Sequence, residues 1–541
     1  MLRSLVFPLA AAFAAALFSA LSLPLAAAAE ISIIPAPRNL VLKNGTAKII
    51  SNGTVVSSPS PVLKPEAEKL QQFIKEQTGA AAVDFIKGDT GVPCITIIED
   101  KTLGAESYRL NISPKNIEIS AADAAGAFYA GQTLLQLIGK DGNVPCLEIT
   151  DAPRFAWRGL MIDIARHFFG KEILKEYITV MSRLKMNRLH LHLTDEAGWR
   201  LEIKRYPKLT ETGAVGNCTS PDAPRAFLTQ DDVRELVKFA EERHVMIVPE
   251  IEMPGHFSAA FRSYPELADA SFAWQKWQGF VLNPSKPEVY EFIENVLKET
   301  AALFPSPYIH LGCDEVSFAK KHWEKDAGIQ QFMKEQQIAD LSALEHYFIR
   351  RAAAMVKGLN KTTVGWDEII PAKVPPKQSI VMNWRSGSLA KALNAGYRVI
   401  LTPNNVCYLD YIQHSSHNTS GRGSGGKATR TIEALYKYPD SEKNIPADKL
   451  PQIVGIQANM WTDICGDNRK RLDFMVFPRA AALAESAWTP AEKKNKADFD
   501  RRLRNFMPYL DAKGIYYFNP FEPEKTPEPA ENPGKSVSTP W

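Results

Sequence analysis

Short apolar runs alternate with amphipathic stretches along the chain from about residue 154 onward. Eight of these runs have the length and apolar content of buried parallel strands. Stretches with apolar residues three and four positions apart separate them, as in Lys171–Leu184 and Thr229–Arg243, and these predict helices. The predicted strands are Gly159–Ile164, Arg188–Leu193, Val245–Ile251, Tyr308–Cys313, Thr362–Trp366, Ser379–Trp384, Arg398–Thr402 and Ile453–Met460.

This alternation predicts an α/β fold, a (β/α)8 TIM barrel over residues 151–490. The structural alternative is a doubly wound open sheet, which usually carries a glycine-rich phosphate-binding sequence directly after its first strand. Here the first predicted strand runs into Ile164-Ala165-Arg166-His167 instead. The pattern therefore favours the barrel.

A different rhythm precedes the barrel, over residues 30–150. Short strand-like runs interleave with two helical stretches, which predicts a small α+β domain. After the barrel, residues 491–541 are predicted to form a C-terminal helix and a proline-rich tail. In the N-terminal domain the predicted strands are Thr54–Val56, Cys94–Ile98, Tyr108–Ile112 and Ile117–Ser120, and the predicted helices are Pro65–Thr78 and Ala121–Leu137.

The first 29 residues have the character of a secretory signal peptide. Arg3 precedes a long apolar run that ends in small residues at Ala26–Ala29. The alternative is a retained membrane anchor, because the run is long enough to span a bilayer. No second run of this length occurs, so we expect an exported protein, periplasmic or secreted, without stable membrane insertion after signal removal.

Composition narrows the possible partners. The 541 residues are 45% hydrophobic and 23% charged, with a formal net charge of +3, which is typical of a globular protein. Basic residues do not cluster, so no nucleic-acid partner is expected. None of the six cysteines forms a CxxC pair, which argues against a zinc ribbon, and their disulfide pattern stays open. The oligomeric state also stays open.

Candidate chemistry lies at the ends of the predicted strands. The carboxyl ends of barrel strands face the active site. Nearly every predicted strand is followed by a carboxylate, an aromatic residue or both, and this mixture suits a sugar pocket, in which rings cover C–H faces and charged groups bind hydroxyls. The candidates are Arg166, Asp195, His256, Asp314, Glu315, Trp366, Trp384, Tyr408, Asp410, Trp461 and Asp463.

Two adjacent carboxylates, Asp314 and Glu315, follow the apolar run Tyr308–Leu311. An isolated pair of this kind would usually be solvated at the start of a loop. At a strand end, however, one carboxylate can stay ionised while its less solvated neighbour holds a proton. This division of labour is the one that glycoside hydrolysis uses.

Several segments together resemble a known family. They occur in that family's order and resemble signature segments of the β-N-acetylhexosaminidases, family 20 of the glycoside hydrolases; residues 30–150 resemble its N-terminal α+β domain. The resemblance implies exo-acting, retaining hydrolysis of N-acetylhexosamine-containing glycans without a metal or cofactor. The segments are Met161–Phe168, Leu189–Glu202, Pro249–His256, His310–Val316, Gly365–Glu368 and Gln457–Asp463.

The resemblance also implies a mechanism without an enzymic nucleophile. The substrate's 2-acetamido oxygen attacks the anomeric carbon and forms an oxazolinium intermediate. Glu315 matches the general acid and base, and Asp314 matches the carboxylate that orients the acetamido group. Asp195 and His256 resemble an Asp-His pair that tunes Glu315.

The remaining candidates match groups that bind the sugar. Arg166 matches the residue that binds the 3- and 4-hydroxyls of the terminal sugar. Tyr408 matches the residue whose hydroxyl hydrogen-bonds the acetamido oxygen. One departure concerns Asp463, because the family often has the longer glutamate there. This change puts the contact to the 4- and 6-hydroxyls in doubt and bears on the choice between gluco and galacto sugars. Trp366, Trp384 and Trp461 match the walls around the acetamido group and the sugar ring. Asp410 matches a contact to the outer hydroxyls.

Three other functions compete with an exo-hexosaminidase. A non-catalytic sugar-binding barrel would lack the acid or the orienting carboxylate, and both are present here. A disaccharide-releasing relative would differ at the blind end of the pocket, which the sequence does not define. A chitinase-type barrel would carry a D-x-x-D-x-D-x-E strand, and the chain has no such string.

Overall fold

The structure is a computed structural model. It describes residues 31–49, 55–78, 94–268, 281–316, 320–417, 428–442, 445–463 and 465–529. The predicted signal peptide, residue Thr54 and the end of the proline-rich tail lie outside these ranges. Residues from Ser32 onward form one compact unit. None of the helices in the described ranges is both long enough and apolar enough to cross a bilayer.

The N-terminal part is a six-stranded mixed sheet with helices, which agrees with the predicted small α+β domain. Its strand order is β1-β6-β4-β5-β3-β2. The strands are β1 (Asn39–Lys48), β2 (Val56–Ser57), β3 (Cys94–Glu99), β4 (Tyr108–Ile112), β5 (Asn116–Ala121) and β6 (Asn143–Asp151), and the helices are α1 (Lys64–Thr78) and α2 (Ala124–Leu137).

The sequence-based prediction of this domain needs two corrections. The strands β1 and β6 were not predicted, and most of β1 is exposed, so it lacks the apolar alternation that marks a strand. The predicted start of the second helix at Ala121 is wrong, because Ala121 ends β5. The helix begins at Ala124, where the Asp123 carboxylate accepts a hydrogen bond from the Gly126 N–H at 2.7 Å and caps the first turn.

Eight parallel strands close into a barrel and confirm the TIM-barrel prediction, so the doubly wound alternative is wrong. The last strand pairs with the first in register from Gly455 opposite Trp157 to Met460 opposite Ile162. The strands are β7 (Trp157–Asp163), β8 (Arg188–His192), β9 (Met246–Met253), β10 (Tyr308–Gly312), β11 (Thr362–Trp366), β12 (Ser379–Asn383), β13 (Arg398–Leu401) and β14 (Ile453–Met460).

Helices lie between and after the barrel strands. The start of α5 shows how the sequence sets a boundary, since Thr229 and Asp232 form a reciprocal capping box there. The helices are α3 (Lys171–Arg183), α4 (Lys208–Glu211), α5 (Gln230–Glu241), α6 (Ser258–Phe261), α7 (Pro287–Leu303), α8 (Lys320–Lys325), α9 (Ala327–Glu335), α10 (Leu341–Gly358), α11 (Leu389–Asn394), α12 (Ile432–Lys437), α13 (Arg469–Val476), α14 (Arg479–Trp488) and α15 (Lys496–Ala512).

Buried polar contacts join the N-terminal sheet to the barrel. Lys185, which follows α3, places its ammonium group 3.1 Å from the Asp151 carboxylate at the end of β6, and both side chains are fully buried. Arg158 at the start of β7 pairs with Glu106 at 2.7 Å. Removing one partner from such a buried pair is strongly destabilising. These contacts therefore fix the sheet against the barrel, away from the carboxyl ends of the strands.

Candidate active site

The structure brings all eleven predicted site residues to one end of the barrel. Each of them ends a barrel strand or follows one closely in the chain, and in parallel strands these carboxyl ends share one face. Every strand contributes at least one residue. In strand order they are Arg166, Asp195, His256, Asp314 with Glu315, Trp366, Trp384, Tyr408 with Asp410, and Trp461 with Asp463.

A tight turn after β10 presents the two adjacent carboxylates. Gly312, Cys313 and Glu315 all have positive φ angles, of 63°, 79° and 54°. Only glycine adopts this region without steric cost, so the two other residues hold strained backbone at the mouth of the barrel. The turn leaves the Asp314 side chain 14% exposed and the Glu315 side chain 32% exposed. Both carboxylates therefore open toward the mouth.

The imidazole of His256 faces both of these carboxylates. Its Nε2 atom lies 3.6 Å from Glu315 Oε2 and 3.7 Å from Asp314 Oδ2. Its Nδ1 atom faces away from them, toward the segment after β8. His256 itself has a positive φ of 53°, which aims the ring across the mouth. The His256 ring thus lies between the segment that follows β8 and the carboxylates that follow β10, the strands on either side of β9.

The predicted Asp-His pair is only partly as expected. The Asp195 carboxylate lies 3.6 Å from His256 Nδ1, whereas the Glu196 carboxylate lies at 2.9 Å and accepts the hydrogen bond. Glu196 was given no role in the sequence analysis. Its position directly after Asp195 repeats the adjacency of Asp314 and Glu315, and this was the signal that could have identified it.

Asp195 pairs instead with Arg166. Arg166 Nη2 lies 2.7 Å from Asp195 Oδ2, and Nη1 lies 3.4 Å from Asp163 Oδ2. Asp163 lies near the end of the first predicted strand but was given no role; it is fully buried and accepts a hydrogen bond from His192 Nδ1 at 2.8 Å. Burial alone would raise the pKa of Asp163, but Arg166 and His192 hold it well below its usual value. The guanidinium is therefore held between two carboxylates, of which Asp163 is ionised.

Aromatic rings line the rest of the mouth. The ring of Trp461 lies 5.9 Å from that of Trp366 and 6.0 Å from that of Tyr408. Arg166 stacks over Trp461 with its guanidinium carbon 4.9 Å from the ring centre. Trp384 packs against the same apolar cluster, and the Arg385 guanidinium covers it at 4.4 Å. These rings form the flat surfaces that the sequence predicts for a sugar pocket.

Asp410 and Asp463 are both buried at the mouth, with 0% and 3% of their surface exposed. The Asp463 carboxylate contributes to the raised pKa of Arg166, after Asp195 and Asp163, and against burial. Burial raises the pKa of Tyr408 well above its usual value, and the Asp314 and Asp410 carboxylates add to that rise. The Tyr408 hydroxyl is therefore a hydrogen-bond donor at neutral pH.

Proton positions follow from these contacts. Although burial opposes it, Glu196 and Asp195 raise the pKa of His256 well above its usual value. Burial and the neighbouring Glu315 raise the pKa of Asp314. His256 in turn lowers the pKa of Glu315, against the effect of burial. These directions favour a proton on the His256 imidazole or on Asp314 over one on Glu315, whereas the sequence predicts it on Glu315.

Among the described residues, four sets of histidine and carboxylate side chains bring possible metal-ligand atoms within 4.8 Å of one another. In the most buried set, Glu250 lies 2.7 Å from His310 Nδ1 and 2.9 Å from His190 Nε2. Two ligands of one tetrahedral zinc ion lie roughly 3.3 Å apart, given Zn–N distances near 2.0 Å. The shorter separations here are direct contacts between the side chains and do not match that spacing.

The chain is similar to known proteins over most of its length. The family model for the catalytic domain of glycosyl hydrolase family 20 matches residues 155–491, and the model for domain 2 of that family matches residues 30–152. A β-hexosaminidase of Porphyromonas gingivalis is 36% identical over 520 residues, which cover 91% of this chain. This chain spans 64% of the length of that relative. A β-N-acetylhexosaminidase of Cellulomonas fimi is 29% identical, with coverages of 90% and 95%.

Solved structures show the same likeness. An exo β-N-acetylglucosaminidase of Vibrio harveyi, solved in complex with N-acetylglucosamine, superposes with a TM-score of 0.81 at 31% identity, covering 90% of this chain and 78% of that one. A β-N-acetylhexosaminidase of Bacteroides fragilis gives a TM-score of 0.77 at 29% identity, with coverages of 90% and 96%. Two matching family models, a relative of 36% identity and a shared fold lead to one conclusion: the chain belongs to glycosyl hydrolase family 20.

Proposed function

We propose that this chain is an exo-acting, retaining β-N-acetylhexosaminidase that releases terminal non-reducing GlcNAc or GalNAc from glycans. The observation that carries the proposal is the turn after β10, which presents Asp314 and Glu315 side by side with one imidazole within 3.7 Å of both carboxylates. One carboxylate can then handle a proton while its neighbour orients a group on the substrate.

The first chemical step breaks the glycosidic bond. In this proposal His256 passes its proton to Glu315, which donates it to the glycosidic oxygen as the C1–O bond breaks. The acetamido carbonyl oxygen of the same sugar forms the new bond to C1, and an oxazolinium ion results. General acid catalysis of this kind contributes about 10²- to 10⁴-fold. The aglycone leaves as a neutral alcohol.

The second step restores the enzyme. Glu315, now ionised, accepts a proton from water as the water oxygen attacks C1 from the face that the aglycone left, and it then returns this proton to His256. The oxazolinium C1–O bond breaks, and the acetamido group is restored with net retention at C1. Asp314 accepts a hydrogen bond from the acetamido N–H and stabilises the positive charge in both steps. Holding an internal nucleophile in place can lower a barrier by roughly 7–11 kcal/mol.

The rest of the mouth supports recognition of one terminal sugar. The Arg166 guanidinium, fixed by Asp195 and Asp163, offers two donors suited to neighbouring hydroxyls. Trp366 and Trp461 supply apolar faces for the ring and the acetamido methyl group. The Vibrio harveyi relative is described as exo-acting and binds N-acetylglucosamine, which supports the same substrate class for this chain.

Parallel assays of the purified chain test the proposal. Aryl β-GlcNAc, aryl β-GalNAc and aryl β-glucoside differ in the 2-acetamido group or the 4-hydroxyl alone, and aryl β-chitobioside reports disaccharide release. We expect turnover of the first two, none of the glucoside, and GlcNAc as the first sugar released from the chitobioside. NMR of the product should show the β anomer first. Equal turnover of the glucoside, or release of intact chitobiose, would contradict the proposal.

A further inference from the structure

A cavity of about 300 Å³ lies between the N-terminal domain and the barrel. Part of its wall comes from the amino ends of barrel strands, where Arg188 begins β8 and Met246 begins β9. The N-terminal domain contributes Ala125 in the first turn of α2 and Glu106 before β4. The volume is at the lower end of the range for small-molecule sites. Because it lies at the amino ends of the strands, the cavity is separate from the candidate active site.

The Arg188 guanidinium lines this cavity without a counter-ion. It has five N–H donors, yet it makes one hydrogen bond with the described residues, to the Asn187 carbonyl at 2.8 Å, and no ion pair with any of their carboxylates. Its central carbon lies 5.4 Å from the centre of the Trp157 ring. Burial and the neighbouring Arg158 lower the pKa of Arg188. An anion bound beside this guanidinium would therefore stabilise its charged form.

The other charged groups around the cavity have partners or face solvent. The Glu106 carboxylate pairs with Arg158 Nη1 at 2.7 Å. His244 Nε2 lies 3.2 Å from a carboxylate oxygen of Glu66. Glu241 is exposed at the end of α5, where water and salt screen its charge. The guanidinium at the start of β8 is therefore the charge that a ligand in the cavity would meet.

Apolar side chains form much of the remaining wall. Ala125, Val237 and Met246 are partly exposed there, and Pro305 is exposed. A small inorganic anion would leave this apolar surface in contact with water, whereas an organic anion with an apolar body would cover it. A planar carboxylate also matches the fork of a guanidinium. Charge and surface together favour a carboxylate attached to an apolar group.

We propose that this cavity is a binding site for a small monocarboxylate with an apolar body. The carboxylate pairs with Arg188, and the body packs against Val237 and Met246. This site is distinct from the sugar pocket and does not depend on the proposed function. A ligand held there contacts both the N-terminal domain and the barrel, so it stabilises the folded protein, which offers the cavity, over the unfolded chain, which does not.

A 19F NMR titration of the purified chain with 4-fluorobenzoate tests the proposal, with 4-fluorobenzamide as the uncharged match. We expect saturable binding of the carboxylate, at least tenfold tighter than any binding of the amide. Arg188→Gln should weaken binding of the carboxylate about 10- to 100-fold, because hydrogen bonds to the charged group are lost. Ala125→Leu should also weaken it by filling the cavity. Since Ala125 is partly exposed, A125L carries the test if R188Q does not fold.

Two control variants leave the cavity intact. Arg109→Gln removes a charge from the N-terminal domain at an exposed position. Ala343→Leu enlarges a partly exposed alanine in the first turn of α10 and so matches A125L. Both should bind 4-fluorobenzoate as wild type does. Arg166→Gln examines the barrel mouth, which also contains a guanidinium, and it should leave the titration unchanged.

Three results would overturn the proposal. The first is no saturable binding of 4-fluorobenzoate at millimolar concentrations, or binding of the amide that is equally tight. The second is equal affinity for the carboxylate in wild type, R188Q and A125L. The third is a loss of binding in R166Q that R188Q and A125L do not show, because the carboxylate would then occupy the barrel mouth.

Discussion

Trp366 donates its indole N–H to the buried carboxylate of Glu250 over 3.0 Å. The same carboxylate lies 2.7 Å from His310 Nδ1 and 2.9 Å from His190 Nε2, and all four side chains are buried. One charge inside the barrel thus anchors an aromatic wall of the pocket. Because a buried charge is costly unless it is paired, we expect substitutions in this set of contacts to lower the stability of the protein.

Replacing Glu250 by glutamine should destabilise the protein. The substitution removes the charge that lies beside His310 and His190 and leaves buried polar groups without it, at a cost of about 1–3 kcal/mol. Trp366→Phe removes the donor and part of a buried ring, so the cost of an unsatisfied acceptor, about 1–3 kcal/mol, adds to the cost of the cavity. Urea unfolding of the three proteins at pH 7 measures both effects. A loss below about 1 kcal/mol in E250Q would show that Glu250 is not held as a buried ion.

Replacing Glu315 by glutamine should mainly affect substrates that need a proton on the leaving group. Glutamine cannot donate in the way an acid does, so kcat on chitobiose should fall about 10²- to 10⁴-fold. A dinitrophenyl β-GlcNAc, whose leaving group needs no proton, should lose much less in the bond-breaking step. Pre-steady-state release of dinitrophenol is the measurement. A similar loss on both substrates would contradict the role of general acid.

Replacing Asp314 by asparagine should weaken the use of the acetamido group. The amide keeps the shape of the side chain but removes the charge that stabilises the oxazolinium ion. We expect kcat on aryl β-GlcNAc to fall about 10²- to 10³-fold, the range for losing one electrostatic contact in an active site. A thiazoline analogue of the intermediate should also bind less tightly. Unchanged thiazoline inhibition in D314N would exclude the orienting role.

The barrel could be predicted closely because its strands are buried on both faces. Thr362–Trp366 and Ile453–Met460 were predicted to the residue; polar residues flank the first run on both sides and precede the second. Elsewhere the apolar run continues past the strand: Leu193, Trp384 and Thr402 lie one residue beyond the ends of their strands. Hydrophobic residues indicate burial rather than strand pairing. Residues at the barrel mouth can stay buried after the hydrogen bonds between neighbouring strands end.

The candidate site was predictable as a set of residues but not as a set of contacts. Strand order places Asp195 and His256 at one end of the barrel, and sequence patterns alone give that much. The 2.9 Å contact of Glu196 with His256 depends on a turn closed at Gly198 and on the positive φ of His256. Such tertiary geometry has no periodic signal in the sequence.

Replacing Gly312 by alanine should destabilise the turn after β10. Gly312 has a φ of +63°, and an added Cβ would lie 1.6 Å from a carboxylate oxygen of Glu252. Glu252 is buried and contacts His192 at 3.3 Å, so it has little room to move. The left-handed conformation costs about 1–2 kcal/mol and overpacking about 1–3 kcal/mol more.

Gly358→Ala is the matched control for this substitution. Gly358 ends α10, and an added Cβ there meets nothing within 4 Å. We expect its unfolding free energy to change by less than about 1 kcal/mol. Thermal and urea unfolding should therefore separate the two variants clearly. Equal stability of G312A and G358A would mean that the β10 turn tolerates a side chain and that Glu252 is free to shift.

The stability of the protein should fall as the pH drops from about 6.5 to 4, in part because of His417. This ring is 4% exposed and packs 4.7 Å from Phe518 and 5.0 Å from Phe474. Burial lowers the pKa of His417 to about 4. In the unfolded chain a histidine pKa lies near 6.5, so over this interval the unfolded chain binds the proton and the folded protein does not.

His417→Phe should remove this part of the pH dependence. Phenylalanine fills the aromatic site without titrating, so the fall in unfolding free energy between pH 7.5 and pH 4.5 should be smaller than in wild type by about 1–3 kcal/mol. Urea unfolding at both pH values gives the difference, in which groups common to the two proteins cancel. If the two proteins lose equal stability, His417 titrates in the folded protein as it does in the unfolded chain.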